Sequence, residues 1–175
     1  MVVKKNRSYL LMAQNNAWAN QTFFEVMSAL SLKDFNSNQP GFFPSLCATM
    51  NHIYEVDLYY IDALLSQGIG LGVFDRKMEK NPKILAQNQA ISDSKLINFC
   101  INLKTHSLDE KRSFVRNSSS VLESVEAILL HLFQHQIHHR GQAHVQLQTA
   151  GISPPQLDEF HLEFERASTA QKLFR

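Results

Sequence analysis

The stretch from Ser120 to Ala150, SVLESVEAILLHLFQHQIHHRGQAHVQLQTA, decides the fold and carries the main chemical signal of this chain. Its apolar residues recur every three or four positions, which predicts a helix over about 120–150 that ends before Gly151. Five of the eight histidines lie in this helix, at positions 131, 135, 138, 139 and 144. Residues four apart lie one turn above each other, so the helix presents pairs of imidazoles on one face.

The apolar stripe of this helix separates its histidines by the direction they face. A rotation of about 100° per residue places His139 near the middle of the stripe and His135 about 40° to one side. His131 and His138 fall at the margin and His144 points outward, which predicts rim or solvent-facing positions for these three. The inward pair is therefore His135 and His139. The stripe itself is formed by Val121, Val125, Ile128, Leu129, Leu132, Ala143 and Leu147.

A further inward histidine, His52, lies in an earlier predicted helix over about 44–65. Taken alone, His52 is best explained as a core histidine whose imidazole is satisfied by a backbone carbonyl. Burying three imidazoles without a shared partner costs, in total, on the order of several kcal/mol. The joint pattern therefore favours a divalent metal site formed by His52, His135 and His139.

Three histidines on one side of an ion leave positions at which water or a thiol can ionise near neutral pH. That chemistry serves hydrolysis, thiol transfer and isomerisation equally well. Asp57 falls on an inner face of the second helix, where its carboxylate is able to orient a ligand. A ferritin-like di-iron centre is excluded because the inward positions lack Glu-x-x-His pairs. The sequence also contains no HExxH, P-loop, GxSxG or GxGxxG motif.

The whole chain predicts an all-α four-helix bundle with one long crossover and a short C-terminal helix. No stretch alternates with period two, so no strand is predicted. The first helix is expected over about 8–30 and the third from Ser92 or Asp93 to about His106. Residues 67–90 are expected to form a loop with up to one turn of helix, which shapes a pocket, and a tail helix is expected from about Gln156.

Length and charge narrow the class of protein. The 175 residues suit a single domain over 1–175. With 17 basic and 16 acidic residues, the chain lacks the basic excess of a nucleic-acid-binding protein. No long apolar stretch predicts a signal peptide or a membrane span, so a cytoplasmic protein is expected. Cys47 and Cys100 form no CxxC pair and are expected to be reduced and buried.

Three passages of the chain resemble the DinB family, including its DinB/YfiT-like members. They are AQNNAWANQTFFEVMSAL at 13–30, SLCATMNHIYEVDLYYIDALL at 45–65 and HQIHHRGQAHVQLQTAGISPPQLDEF at 135–160. The resemblance carries the family's metal ligands onto the same three histidines, His52, His135 and His139. Residues that match other family positions, and that are expected to support the ligands from outside the coordination sphere, are Asp57, Tyr60 and Gln142.

The resemblance implies a four-helix bundle, commonly a homodimer, that holds Zn²⁺, Ni²⁺, Mn²⁺ or Fe²⁺. It also implies an enzyme acting on a small molecule, a transferase or isomerase that uses a low-molecular-weight thiol as a metal-activated thiolate. The chemistry of the histidine site equally allows a hydrolase that uses metal-activated water. The alternative is a non-catalytic helical binding or stress-response module stabilised by its metal. Neither nucleic acid nor membrane is expected as a partner.

Overall fold

Four long helices make up most of the protein. The structure is a computed structural model that describes residues 4–116 and 118–174. Its helices, in chain order, are α1 (Lys4–Met27), α2 (Leu32–Asn36), α3 (Leu46–Leu65), α4 (Pro82–Asn102) and α5 (Val125–Thr149). Helices α1 and α3 each pack against both α4 and α5, so the four long helices form the corners of a bundle. The predicted all-α class is confirmed. None of the described helices is long and apolar enough to cross a membrane.

Helix α4 begins earlier than the sequence predicted. The Asn81 side chain accepts a hydrogen bond from the Lys83 amide at 3.0 Å, and Pro82 occupies the first turn. This cap lies inside the stretch that was predicted to be a loop over 67–90, so the expected start at Ser92 or Asp93 was wrong. The remaining loop contains a 3-10 helix at Gly70–Asp75. Proline suits the first turn of a helix because its missing amide hydrogen has no partner there.

A β-hairpin, not predicted from the sequence, precedes α5. Strand β1 (Lys111–Arg116) pairs antiparallel with β2 (Ser119–Ser124). Helix α5 consequently begins at Val125 and not at Ser120, with the Ser124 hydroxyl accepting from the Ala127 amide at 3.1 Å. An isolated hairpin is only marginally stable, so packing on the bundle is required. Phe114 supplies it, with ring centroids 6.0 Å from Tyr59 and 5.6 Å from Tyr60.

The C-terminal tail is irregular over most of its length, with turns and bends in place of a regular helix. No helix begins at Gln156, and the short C-terminal helix is a 3-10 helix at Gln171–Phe174. Phe160 anchors the tail because its ring is fully buried and packs 5.5 Å from that of Trp18 on α1. The aromatic contact therefore holds the tail on the bundle without a regular helix.

A buried polar layer separates the two larger of the three apolar clusters that the described residues form. One cluster includes Tyr60, Leu96 and Leu129, and the other includes Phe23 and Leu147. Between them lie seven polar or charged side chains that are at least 95% buried. Every long helix contributes to this polar layer, which consists of Asn16, Asn20, Asp57, Gln89, Asp93, Gln136 and Arg140.

Arg140 is the hydrogen-bond donor at the centre of the polar layer. Its Nη1 donates to Asn16 Oδ1 at 2.6 Å, Asn20 Oδ1 at 2.9 Å and Gln136 Oε1 at 2.8 Å. Burial lowers the pKa of Arg140 to about 10, while Asp93 and Asp57 act in the opposite direction. The guanidinium is therefore still charged at neutral pH and ties α5 to α1.

Two carboxyl groups complete the polar layer. Gln89 Nε2 donates to Asp57 Oδ2 at 2.7 Å and to Asp93 Oδ1 at 3.1 Å. Asp57 also accepts from Gln136, and Asp93 accepts from Asn20 at 3.0 Å. Burial, with repulsion from Asp93, raises the pKa of Asp57 to about 7, and burial raises that of Asp93 to about 6. Near neutral pH, Asp57 is consequently protonated in part of the molecules.

Replacing Gln136 should destabilise the whole bundle. The substitution Gln136→Leu keeps the approximate size but removes partners of both Asp57 and Arg140, which remain buried. We expect a loss of about 2–3 kcal/mol in the free energy of unfolding, measured by urea denaturation. The matched control is Gln134→Leu on the exposed side of α5, expected to stay within about 0.5 kcal/mol of the wild type. Equal stability of the two variants would contradict a stabilising role for the polar layer.

The raised pKa of Asp57 predicts an unusual pH dependence of stability. As pH rises from about 4 to 7, the folded chain retains a proton that the unfolded chain has released, so this carboxyl stabilises the fold less. Relative to Asp57→Asn, the free energy of unfolding of the wild type should fall by about 1 kcal/mol per pH unit between about pH 5 and 6.5. Contributions from the histidines cancel in this comparison. Parallel pH profiles of the two proteins would show that Asp57 titrates normally.

Candidate metal centre

The structure brings together the three histidines that the sequence indicated. His52 comes from α3, whereas His135 and His139 lie one turn apart on α5. One nitrogen from each imidazole lies within 4.8 Å of the other two, and Nε2 of His52 is 3.1 Å from Nε2 of His135. Two neighbouring helices thus bring three ring nitrogens close enough to share one ion, as a metal site with three protein ligands requires.

Gln142 orients one of these imidazoles. His139 Nδ1 lies 2.8 Å from Gln142 Oε1, and Gln142 Nε2 lies 3.1 Å from His138 Nε2. With the amide oxygen as acceptor, Nδ1 of His139 donates and its Nε2 keeps a free lone pair. A hydrogen bond to the outer ring nitrogen is the usual way to fix the tautomer of a metal ligand.

The electrostatics of the three histidines suit metal ligation. Burial, with repulsion from His139, lowers the pKa of His52 to about 4. Burial, followed by repulsion from the neighbouring imidazoles, lowers the pKa of His135 to about 3, and burial also lowers the pKa of His139. All three rings are therefore neutral at pH 7, with lone pairs available to a cation. Nδ1 of His135 is buried and has no hydrogen-bond partner among the described residues. Three neutral nitrogen donors fit a first-row divalent ion.

Asp57 and Tyr60 contact other groups. Asp57 makes its hydrogen bonds to Gln89 and to Gln136, the neighbour of His135 in sequence, and to no imidazole among the described residues. The Tyr60 ring packs 4.9 Å from that of His131. Asp57 therefore acts through the polar layer, and Tyr60 lies on the wall of the adjoining pocket.

A pocket of about 540 Å³ opens beside the three histidines. Helices α3 and α5 form its base, and the 3-10 helix and the hairpin form its sides. The predicted loop contributes Leu71 and Phe74, and the histidines outside the triad that line the pocket are His131 and His138. Its remaining lining residues are Phe42, Val56, Tyr59, Tyr60, Val115 and Arg116. The site thus combines converging nitrogen donors with a largely apolar and aromatic cavity.

Sequence reasoning missed two parts of this site. The Phe43 ring covers the imidazoles, with centroids 4.5 Å from His52 and 5.6 Å from His139. Val115 and Arg116 reach the pocket from a hairpin that was not predicted. The only signal for Phe43 was the apolar pair in PGFFP, and the polar 107–120 stretch gave none for the hairpin.

His144, expected to face solvent, is half-buried in a separate groove between α1 and α5.

Known proteins share both the sequence pattern and the fold. A sequence profile of the DinB family matches residues 1–171. Protein DinB of Bacillus subtilis strain 168 is 24% identical over 149 residues, which cover 82% of this chain and 86% of that protein.

Two solved structures are similar to this chain. A DinB-like protein from Bacillus cereus ATCC 10987 is similar with a TM-score of 0.70 at 17% identity, over 86% of this chain and 95% of that one. A DinB-like protein from Bacillus subtilis gives a TM-score of 0.61 at 19% identity, over 83% of this chain and 96% of that one. The family profile spans nearly the whole chain and both structures share its helical fold, and this chain therefore belongs to the DinB family.

Proposed function

We propose that His52, His135 and His139 hold a divalent metal ion and that the adjoining pocket is the active site of a metal-dependent enzyme. Its substrate is a small molecule, and the reaction is of the thiol-transferase or hydrolase type. The observation that carries this proposal is the position of the triad on the wall of a cavity of about 540 Å³. A purely structural metal site is closed by four protein ligands, whereas a catalytic one keeps a position open beside a pocket.

The surrounding residues suit this role. When bound, a divalent ion lowers the pKa of a coordinated thiol or water towards neutrality. Phe43 covers one side of His52 and His139 and excludes water from it. Gln142 holds His139 in the tautomer that leaves Nε2 free. Tyr59 and Phe74, with ring centroids 5.3 Å apart, form an aromatic wall against which an apolar substrate group packs.

Metal content tests the site directly. Untagged wild-type protein should contain close to one equivalent of a divalent metal by mass spectrometry, whereas the His52→Ala/His139→Ala double variant should contain almost none. The control is His144→Ala, which alters a histidine in the separate α1/α5 groove and should keep its metal. Circular dichroism checks that the variants are folded. A folded wild type that stays empty after incubation with Zn²⁺, Ni²⁺, Mn²⁺ and Fe²⁺ contradicts the proposal.

Gln142 should strengthen metal binding through His139. We expect Gln142→Leu to weaken metal affinity by roughly 10- to 100-fold, measured by competition with a chromogenic chelator, because His139 Nδ1 loses its acceptor. Gln142→Glu retains an acceptor oxygen at the same place and should remain close to the wild type. If both variants bind metal like the wild type, the contact between Gln142 and His139 has no part in ligation.

A thiol titration separates the enzyme from a non-catalytic, metal-stabilised module. The Ni²⁺-loaded protein should give a saturable thiolate-to-metal charge-transfer band when a low-molecular-weight thiol is added, because the pocket gives the thiol access to an open coordination position. A loaded protein with no such band, and with no turnover of thiol or of hydrolysable substrates, would favour the non-catalytic module.

A further inference from the structure

A second cavity of about 690 Å³ lies between α1, α5 and the C-terminal tail. It shares no lining residue with the pocket beside the histidine triad. Arg140 and Gly141 of α5 form part of its wall, and Ile137 and Leu157 supply apolar surface. We call this cavity the α1/α5 groove. It lies beside the polar layer because Arg140 belongs to both.

Arg140 lines the α1/α5 groove and has hydrogen-bond donors that the described residues leave unused. Its side chain is 5% exposed, and all of its hydrogen bonds within residues 4–116 and 118–174 are made by Nη1. Nε and Nη2 have no partner there, yet neither is among the buried polar atoms that are sealed from solvent. These two nitrogens form the lateral edge of the guanidinium, whose parallel N–H groups match the two oxygens of a carboxylate.

Gly141 follows Arg140 on α5 and leaves open space on the surface of the helix. A Cβ atom built on Gly141 meets no other atom within 4 Å, and its backbone lies in the middle of α5. Glycine destabilises a helix interior relative to alanine, so it is usually found where a side chain would collide. No neighbour among the described residues explains glycine here. Gly141 is exposed on the surface of α5, so a group from outside the chain can approach the helix backbone closely at this residue.

We propose that the α1/α5 groove binds a small molecule bearing a carboxylate. The carboxylate pairs with Nε and Nη2 of Arg140, and the apolar part of the ligand lies over Gly141 against Ile137 and Leu157. The argument combines two unpaired nitrogens of a buried guanidinium with open space at the next residue of α5, and neither observation depends on the metal centre.

Charge around Arg140 is compatible with an anionic ligand. The acidic groups that face it in the polar layer are Asp57 and Asp93, and Asp57 is partly protonated near neutral pH. The pKa of Asp93 is raised to about 6, so the two carboxyl groups together carry less than their full two negative charges near neutral pH. Asp158 also lines the groove and opposes a bound anion. The substitution Asp158→Asn should therefore tighten binding.

Benzoate is a suitable probe because it joins a carboxylate to a flat apolar ring. Titration of the metal-loaded protein should shift the ¹⁵N–¹H resonance of Arg140 Nε saturably, whereas benzamide, of the same shape but uncharged, should bind at least roughly tenfold more weakly. Gly141→Leu fills the groove without touching the hydrogen bonds of Arg140 and should weaken benzoate binding at least roughly tenfold. Gly141→Ala should raise the melting temperature, which shows that packing within the chain does not require glycine.

The controls separate this site from the metal centre and from an interface between copies. His52→Ala should retain the benzoate-dependent shift, because His52 lies in the other pocket. Loss of the shift in His52→Ala with retention in Gly141→Leu would place benzoate at the triad and overturn the proposal. Absence of any saturable shift in the wild type would also overturn the proposal. A change of oligomeric state in Gly141→Leu, measured by sedimentation, in a protein that does not bind benzoate would overturn it too and would assign Gly141 to contact with a second copy.

Discussion

The buried guanidinium of Arg140 is the constraint on which the arrangement of the bundle depends. A charged side chain that is 95% buried must be compensated by hydrogen bonds. Side chains of α1 and α5 supply three acceptors to Nη1 of Arg140. Asp57, Gln89 and Asp93 extend these contacts to α3 and α4. The polar layer therefore joins all four long helices at one level. Rotating or sliding one helix would break hydrogen bonds between buried side chains, a cost that apolar packing alone would not impose as strongly.

The same layer positions the three histidines of the candidate metal centre. Gln136 and Arg140 follow His135 and His139 by one residue each, so fixing the first pair in the core also fixes the direction of the imidazoles. The contact from Gln136 to Asp57 sets α5 against α3, five residues along from His52. Three neutral imidazoles consequently meet without a carboxylate among them. On another face of α5, Arg140 lines the α1/α5 groove, so the same helix borders two cavities of different chemistry.

The sequence predicted correctly which faces of the helices point inward, because helical periodicity is a local property. It did not predict where α4 begins or that two strands pair, because a capping contact and strand pairing decide these boundaries. The triad followed from the facing directions of His135 and His139, because helix geometry fixes these within one element. Asn81 and Pro82 lay in a segment whose glycines and polar residues indicated a loop, so the start of α4 was misplaced. The hairpin was missed since only Phe114 among its residues is buried, which leaves no alternation of apolar and polar residues to detect.

The sequence by itself determined the helical class, the inward faces of α3 and α5 and the identity of the three candidate ligands. These depend on the 3.6-residue period and on which residue types tolerate burial. Only the tertiary structure decided that Phe43 covers the imidazoles, that Val115 and Arg116 reach the pocket, and which donors of Arg140 remain free. Those features depend on contacts between residues far apart in the chain, and helical periodicity carries no information about which distant surfaces meet.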